Sequence, residues 1–398
     1  MRQIDRPIYL RFLTSWKDEE VIKVVSGVRR CGKSTLFAMF KEQLCAEGIK
    51  EKQIISINFE DIDFDHLRNP AVLHTYIKEK VQNNDKYYIF LDEIQNVKEF
   101  ERVVNSLQLN KNLDIYLTGS NAYFLSGELA TLLTGRYVEL KMLPLSFKEY
   151  LSVNQDVKLL EAYNNYITSS FPFAIKLDEI KKRQYLEGIY STVVLKDIVK
   201  RLSVTDVGVL EKLIRYIYAE IGNLHSINKI TNTLNSAGSK ITNKTVANYI
   251  SGIEDSMLVY RADRYNVKGR KVFSSNAKYY AVDIGLRRLI AGDRTEDYGH
   301  ILENIIYLEL LRRGYQVFVG VIDNLEVDFL AISSGDERLY IQVAYSTENE
   351  DTLKRELRPL ERIKDNYPKL LLTMDQVLPE QNFGGILKTN ALNWLIRD

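Results

Sequence analysis

The most specific chemistry in the chain lies in eight consecutive residues, Gly27-Val28-Arg29-Arg30-Cys31-Gly32-Lys33-Ser34. They fit the spacing Gly-x-x-x-x-Gly-Lys-Ser/Thr in full. A β-branched run, Val21–Val25, leads in, and a helical stretch from Thr35 to Ala46 follows. That is the setting the spacing requires. Glycines let the backbone curl until its N–H groups face inward, and a helix N-terminus adds partial positive charge, so the loop forms a phosphate cradle. Lys33 brings a full charge to β- and γ-phosphates, and the Ser34 hydroxyl is a ligand for Mg²⁺. The residues from Gly27 through Thr35 are therefore the expected cradle, with ATP and Mg²⁺ as ligands.

Two carboxylates complete the set. Tyr88-Ile89-Phe90-Leu91-Asp92-Glu93 reads as a buried strand ending in two acids. Behind a full phosphate loop, Asp92 is placed to hold Mg²⁺ through water, and Glu93 to orient or deprotonate an attacking water. Without the loop, the same run is only a strand meeting a turn. A further strand, Ile115–Thr118, runs into Gly119-Ser120-Asn121. Asn121 there would sense the γ-phosphate; the alternative is a turn-forming Gly-Ser-Asn. Arg136 either stabilises transition-state charge, in cis or across a subunit interface, or is a surface arginine. Arg29 and Arg30 either touch phosphate or face solvent. The expected catalytic residues are thus Lys33, Glu93, Asn121 and Arg136, with Ser34 and Asp92 on the metal. Cys31 lies within the cradle, so bound nucleotide should shield its thiol.

Rigid elements must hold these groups. The chain has 398 residues, 45% hydrophobic and 27% charged, which excludes a disordered, collagenous or coiled-coil protein. At roughly 100–200 residues per domain it should form two to four domains. No apolar run nears the roughly 18 residues that span a membrane. Met1–Leu10 mixes charges of both signs and has no apolar stretch. A cytoplasmic protein with no membrane partner is expected, with Cys31 and Cys45 as reduced thiols. Lys and Arg number 54 against 53 Asp and Glu, so contact with nucleic acid needs a local patch.

The pattern divides the chain into four parts. Residues 1–150 alternate short β-branched runs with helical stretches, which predicts an α/β domain on a parallel sheet. The strand Ile54–Phe59 falls between the phosphate loop and Asp92. That insertion, with the Glu93 carboxylate, marks the branch of P-loop ATPases that includes AAA+ proteins. Residues 151–204 read as a helical lid or connector. Residues 205–295 read as three helices and a hairpin, the layout of a winged helix-turn-helix. Residues 296–398 read as a second α/β domain.

The chain resembles the bacterial and archaeal ATPase family with an AAA-type N-terminal domain and a C-terminal domain of unknown function (DUF4143). The marks are the loop through Thr35, Phe90-Leu-Asp-Glu-Ile-Gln95, Leu117-Thr-Gly-Ser120, Pro144-Leu-Ser-Phe147, Lys196-Asp197-Ile198, Gly299 to Asn304, Arg312-Arg313-Gly314-Tyr315, Glu326-Val-Asp328-Phe and Gln342-Val343. The resemblance covers essentially the whole chain and implies ATP binding. The chain is also similar to the NACHT/STAND switch ATPases, where a Gly-x-Pro motif contacts adenine. Ser170-Phe171-Pro172 is the nearest match, with serine in place of glycine, and it nominates Pro172 for the base.

Two appended features bear on partners. Within residues 240–278, eight basic residues (Lys240, Lys244, Arg261, Arg264, Lys268, Arg270, Lys271, Lys278) face three acids (Glu254, Asp255, Asp263), an excess of +5. Lys244, Asn248 and Tyr249 could face a major groove while Lys268, Arg270 and Lys271 reach phosphate from the wing. The alternative is a domain that packs on the nucleotide and binds no DNA. In the tail, Glu303, Asp328 and Gln342-Val-Ala344 resemble a PD-(D/E)xK restriction-endonuclease layout, but an amide replaces the third acid and Ala344 the lysine. A retained, inactive fold is expected. The leading expectation is an ATP-hydrolysing switch or motor that reads DNA, a protein partner or a second copy of itself. The others are a non-catalytic ATP-binding regulator and an ATP-gated nuclease.

Overall fold

β-branched strands buried on both faces build the first layer. In the computed structural model, which describes residues 4–120, 133, 135–292, 297–376 and 380–397, helix α1 (Pro7–Ser15) precedes strand β1 (Ile22–Gly27). Then come α2 (Lys33–Ala46), β2 (Ile54–Asn58), α3 (Pro70–Lys80), β3 (Tyr87–Asp92), α4 (Phe100–Leu107), β4 (Leu113–Ser120) and β5 (Tyr137–Lys141). β1 and β3 are buried at every residue, as strands covered by helices on both faces must be. The five strands form one parallel sheet in the order β2-β3-β4-β1-β5. The strand lying in space between β1 and β3 is therefore β4; β2, inserted between them in sequence, is at the sheet edge.

The middle is helical: α5 (Phe147–Leu151), α6 (Leu159–Tyr166) and α7 (Glu179–Thr192), which runs on as a π-helical stretch, Val193–Val199, and a last α-turn, Lys200–Leu202. Next come α8 (Val207–Ala219), α9 (Ile227–Ser236), α10 (Asn243–Asp255), β6 (Val259–Asn266), β7 (Lys271–Ala281) and α11 (Ile284–Ala291). Ser226 caps α9 and Thr242 caps α10 through side-chain oxygens. Asn235 clamps the turn between them, donating to Ile241 O (3.0 Å) and accepting from Ile241 N (2.9 Å). The buried Tyr249 packs inward, so it cannot face a groove as the sequence suggested.

The remainder is α12 (Tyr298–Arg312), β8 (Gln316–Ile322), β9 (Leu325–Ile332), β10 (Arg338–Ala344), α13 (Glu350–Glu361), β11 (Lys369–Thr373), β12 (Gln381–Phe383), β13 (Ile386–Asn390) and α14 (Ala391–Ile396). The β6–β7 hairpin is not a free wing. β6 pairs in parallel with β8, making an eight-stranded sheet, β12-β13-β11-β10-β9-β8-β6-β7, that runs across the boundary expected at 295/296. Among the described residues no helix is long and apolar enough to cross a membrane.

Candidate nucleotide site

The loop after β1 is shaped by what cannot fit there. A Cβ on Gly27 would lie 2.4 Å from the Met142 carbonyl oxygen and 2.9 Å from Cys31 Sγ. Gly32 has φ 109°, a left-handed value that glycine adopts without strain. Gly32 is also the N-cap of α2 and offers no side-chain cap, so the start of that helix keeps backbone N–H groups that the cap residue does not satisfy. Such an end is built to take an anion. Ser34 and Thr35 are exposed beside it. Lys33 is buried, with Nζ donating to Gly27 O (3.0 Å) and 3.7 Å from Glu93 Oε1. The donor set and the glycine cradle fit a nucleotide phosphate with its metal.

Adjacent strands bring the two acids to the same end of the sheet. Asp92 ends β3, and Glu93 follows it with φ 55°, a left-handed value uncommon for a residue with a side chain. Thr118 of β4 ties both: its hydroxyl donates to the Asp92 carboxylate and accepts from Glu93 N at 2.9 Å. Gln95 donates to Glu93 Oε2. The sequence reading passed over Thr118 in favour of Asn121, which lies outside the described residues. The available signal was a hydroxyl at the last residue of the apolar run Ile115–Thr118, two residues before the end of β4.

A cleft of about 220 Å³ opens beside the loop, lined by Ile4, Arg6, Gly32, Leu145, Pro172 and Phe173 among others. Pro172 Cγ lies 3.8 Å from where a Gly32 Cβ would stand. Ser170 is held by the buried Asp283, which accepts from Ser170 N (2.6 Å) and Oγ (2.7 Å) and also caps α11 through Leu286 N. Burial pushes the Asp283 carboxyl up, and these hydrogen bonds oppose it. Arg6 clamps the loop from behind, donating to Cys31 O (3.1 Å), Leu143 O (2.7 Å) and Glu149 Oε1 (2.9 Å). No motif announces Arg6.

Three expected residues sit differently from their sequence reading. Cys31 is fully buried and burial raises its thiol pKa, so the protein itself shields it; Cys45 is the exposed thiol. Arg136 precedes β5, whose Tyr137 pairs with Ile22 at the start of β1. The loop follows the far end of β1, five residues and about 17 Å away. The cis alternative for Arg136 therefore has no geometry. Arg29 faces neither open solvent nor an empty space: it pairs with Asp197 (Nε–Oδ2 3.1 Å), 168 residues on, while Arg30 is exposed.

In the tail, Glu303 and Asp328 gather with Glu326 around a cation no motif predicted, and Gln342 bonds to the backbone of Asp328. Lys278 Nζ, from β7, lies 3.0 Å from Glu303 Oε1, 2.8 Å from Glu326 Oε1 and 3.7 Å from Asp328 Oδ1. Burial opposes its charge, but the three carboxylates prevail and its pKa is raised. Asp328 is raised too, by burial and then by Glu303. Gln342 accepts from Asp328 N (3.3 Å) and donates to Glu356 (2.9 Å).

A family model described as an AAA domain matches residues 19–151. A second, a domain of unknown function (DUF8612), matches residues 160–297; it is a different model from DUF4143 and lies on the middle of the chain. An uncharacterized protein of Haemophilus influenzae is 40% identical over 402 residues, 99% of this chain and 99% of that one. One from Methanocaldococcus jannaschii is 32% identical over 368 residues, 86% of this chain and 79% of the other. This chain belongs to their family. The chain is also similar in fold to a solved structure, the Walker-type ATPase PABY2304 of Pyrococcus abyssi. The two share a TM-score of 0.50 at 15% identity, over 72% of this chain and 96% of that one, a likeness of fold. The segment matched by the AAA model holds the Gly27–Thr35 loop, Asp92, Glu93 and Thr118, while Pro172 and Asp197 come from the second matched segment.

Proposed function

We propose that this chain binds Mg-ATP at the Gly27–Thr35 loop and hydrolyses it as a molecular switch or motor. The observation that supports the reading is the Lys33–Glu93 approach of 3.7 Å beside the Asp92–Thr118–Glu93 linkage, an ammonium and two carboxylates gathered at one strand end. Backbone N–H groups of the loop and Lys33 Nζ hold the phosphates. Ser34 and Asp92 would hold Mg²⁺, which supplies charge neutralisation on the phosphate oxygens. Glu93 accepts the proton of the attacking water, and Thr118 keeps Glu93 and Asp92 in register. Pro172 and Leu145 pack against the base. The test pairs fluorescent-nucleotide titration with phosphate release. Lys33→Ala should weaken nucleotide binding at least tenfold. Glu93→Gln should leave binding intact and cut release by about 10²-fold or more, the usual worth of a positioned base. Unchanged turnover in Glu93→Gln would remove it from that role.

A duplex-DNA partner is the second reading, supported by exposed Lys244, Arg270 and Lys271 on the helix-turn-helix and hairpin. The free positive charge is smaller than the sequence count, because Lys278 is spent on internal acids and Lys268 pairs with Asp323 (2.6 Å), acids outside that count; the Arg261–Asp263 pair (2.7 Å) is already within it. Those pairs leave room for an unspecific phosphate contact rather than a broad basic face. The tail is proposed as a non-cleaving endonuclease-like fold, because the Lys278 ammonium stands among the carboxylates where that chemistry needs a metal ion.

A further inference from the structure

Arg29 is the third residue of the phosphate loop, and two carboxylates from other elements bracket it. Asp197 takes one edge of the guanidinium, with Nε to Oδ2 at 3.1 Å and Nη2 to Oδ1 at 3.3 Å. Glu60, after β2, stands 3.7 Å from Nη1 and is largely exposed. Fork-to-carboxylate pairing of this kind fixes the plane of an arginine as well as its place. The held edge faces the second matched segment; among the described residues the other edge has Glu60 as a loose surface partner.

Asp197 is where it is because of an irregularity. The π-helical stretch Val193–Val199 continues α7 with a wider turn. Such a turn re-aims one side chain without moving the rest of a helix, and it recurs at functional sites. Val193, Val194 and Ile198 remain in the core while Asp197 meets the loop. Asp197 is 9% exposed, and burial pushes its carboxyl up while Arg29 pulls it back. The charges of Glu93 and Lys33 also act on it, and the charge of Glu93 acts on Arg29. Glu60, the other partner of Arg29, directly follows Phe59, whose N–H donates to the Asp92 carbonyl at 3.0 Å, so the pair stands at the end of the sheet that carries Asp92 and Glu93.

We propose that Asp197 is a positioning residue for nucleotide hydrolysis: it holds the Arg29 guanidinium at the phosphate end of the site, so that Arg29 stabilises the charge developing during phosphoryl transfer. This rests on the ATPase reading above and gives the arginine's work in cis to Arg29. It also makes turnover depend on the second segment, since the residue that orients a loop arginine lies there.

The experiment uses the full chain, with steady-state phosphate release and a fluorescent ATP analogue for affinity. Arg29→Ala should lower kcat by about 10²-fold or more, in the range known for an arginine serving phosphoryl transfer. Arg29→Lys keeps the charge but loses the fork, and should lose most of the same activity. Asp197→Asn should lower kcat at least tenfold with nucleotide affinity within a few-fold of wild type. The double variant should be no slower than Arg29→Ala alone, because Asp197 acts through Arg29. Wild-type or raised turnover in Asp197→Asn overturns the proposal, as does an additive loss in the double variant. Absent phosphate release from the wild-type chain would overturn the hydrolysis reading itself, and this inference with it.

Discussion

At the scale of single residues, the chemistry of interest is carried by buried charge. Glu254, near the end of α10, has a buried Oε1 with no hydrogen-bond partner. Burial pushes its carboxyl up to about 7, with Arg261 opposing and Asp255 and Asp263 adding to it. The unfolded chain releases that proton near the ordinary value of 4.5. Between those pH values the folded state binds more protons, so stability falls as pH rises through the window and stays low above it. The swing is a few kcal/mol, since each pKa unit is worth about 1.4 kcal/mol. Glu254→Gln should remove it. Urea unfolding at pH 5 and pH 8 is the check: the variant should gain on the wild type at pH 8 relative to pH 5. An equal difference at both values would sink the assignment. Thr118 and Arg6 belong at this scale too. Each is one ordinary residue whose role appears only when its neighbours are known.

Close approach of backbones decides matters at the scale of elements. α11 starts at Ile284, and a Cβ on Gly285 would stand 2.1 Å from Thr168 O. The contact is to backbone, which cannot swing aside, so Gly285→Ala must push α11 from the segment leading to Pro172. Overpacking of this kind costs typically 1–3 kcal/mol. Gly188, in α7, has nothing within 4 Å of its Cβ position. Gly188→Ala should be neutral or stabilising by up to about 1 kcal/mol, the helix propensity difference. Calorimetry of the two variants should therefore move in opposite directions. If Gly285→Ala melts with the wild type, Asp283 and α11 are not held to that segment as tightly as the geometry states.

The whole molecule is joined more firmly than its sequence suggests. One buried cluster runs from Tyr9 and Phe40, under the first sheet, through Tyr163, Leu213 and Ile253 to Ile305, Leu372 and Trp394. Arg312 of α12 donates to the Pro144 carbonyl at 3.1 Å, joining the tail to the segment after β5. The β6–β7 hairpin needs β8 as its neighbour. A chain ended at residue 296 would leave β6 with an unpaired edge and strip that cluster of α12. Such a protein is expected to aggregate or to melt far below the full chain, whereas two independent domains would leave residues 1–296 folded. Thermal unfolding and size-exclusion elution of the shortened chain separate these outcomes.

The residue order by itself determined the phosphate loop, the strand ending in Asp92 and Glu93, the parallel α/β character of the first sheet, and the oxygen-bearing cap candidates Ser226 and, for the next helix, Thr242 or Asn243. These are local: a loop needs glycines at fixed offsets, a buried strand needs a continuous apolar run, and a cap needs an oxygen one residue before a helix. Tertiary structure alone decided which strand stands between β1 and β3, and so that Thr118 touches the acids. It placed Arg136 at the start of β1, the end opposite the phosphate loop, paired Arg29 with Asp197 across 168 positions, and set Lys278 among Glu303, Glu326 and Asp328. It also turned the expected wing into part of an eight-stranded sheet. The physical reason is common to all of these. Sheet order and buried ion pairs are settled by packing between segments distant in the chain, and a side chain's type and spacing carry no record of the partner that packing will bring to it.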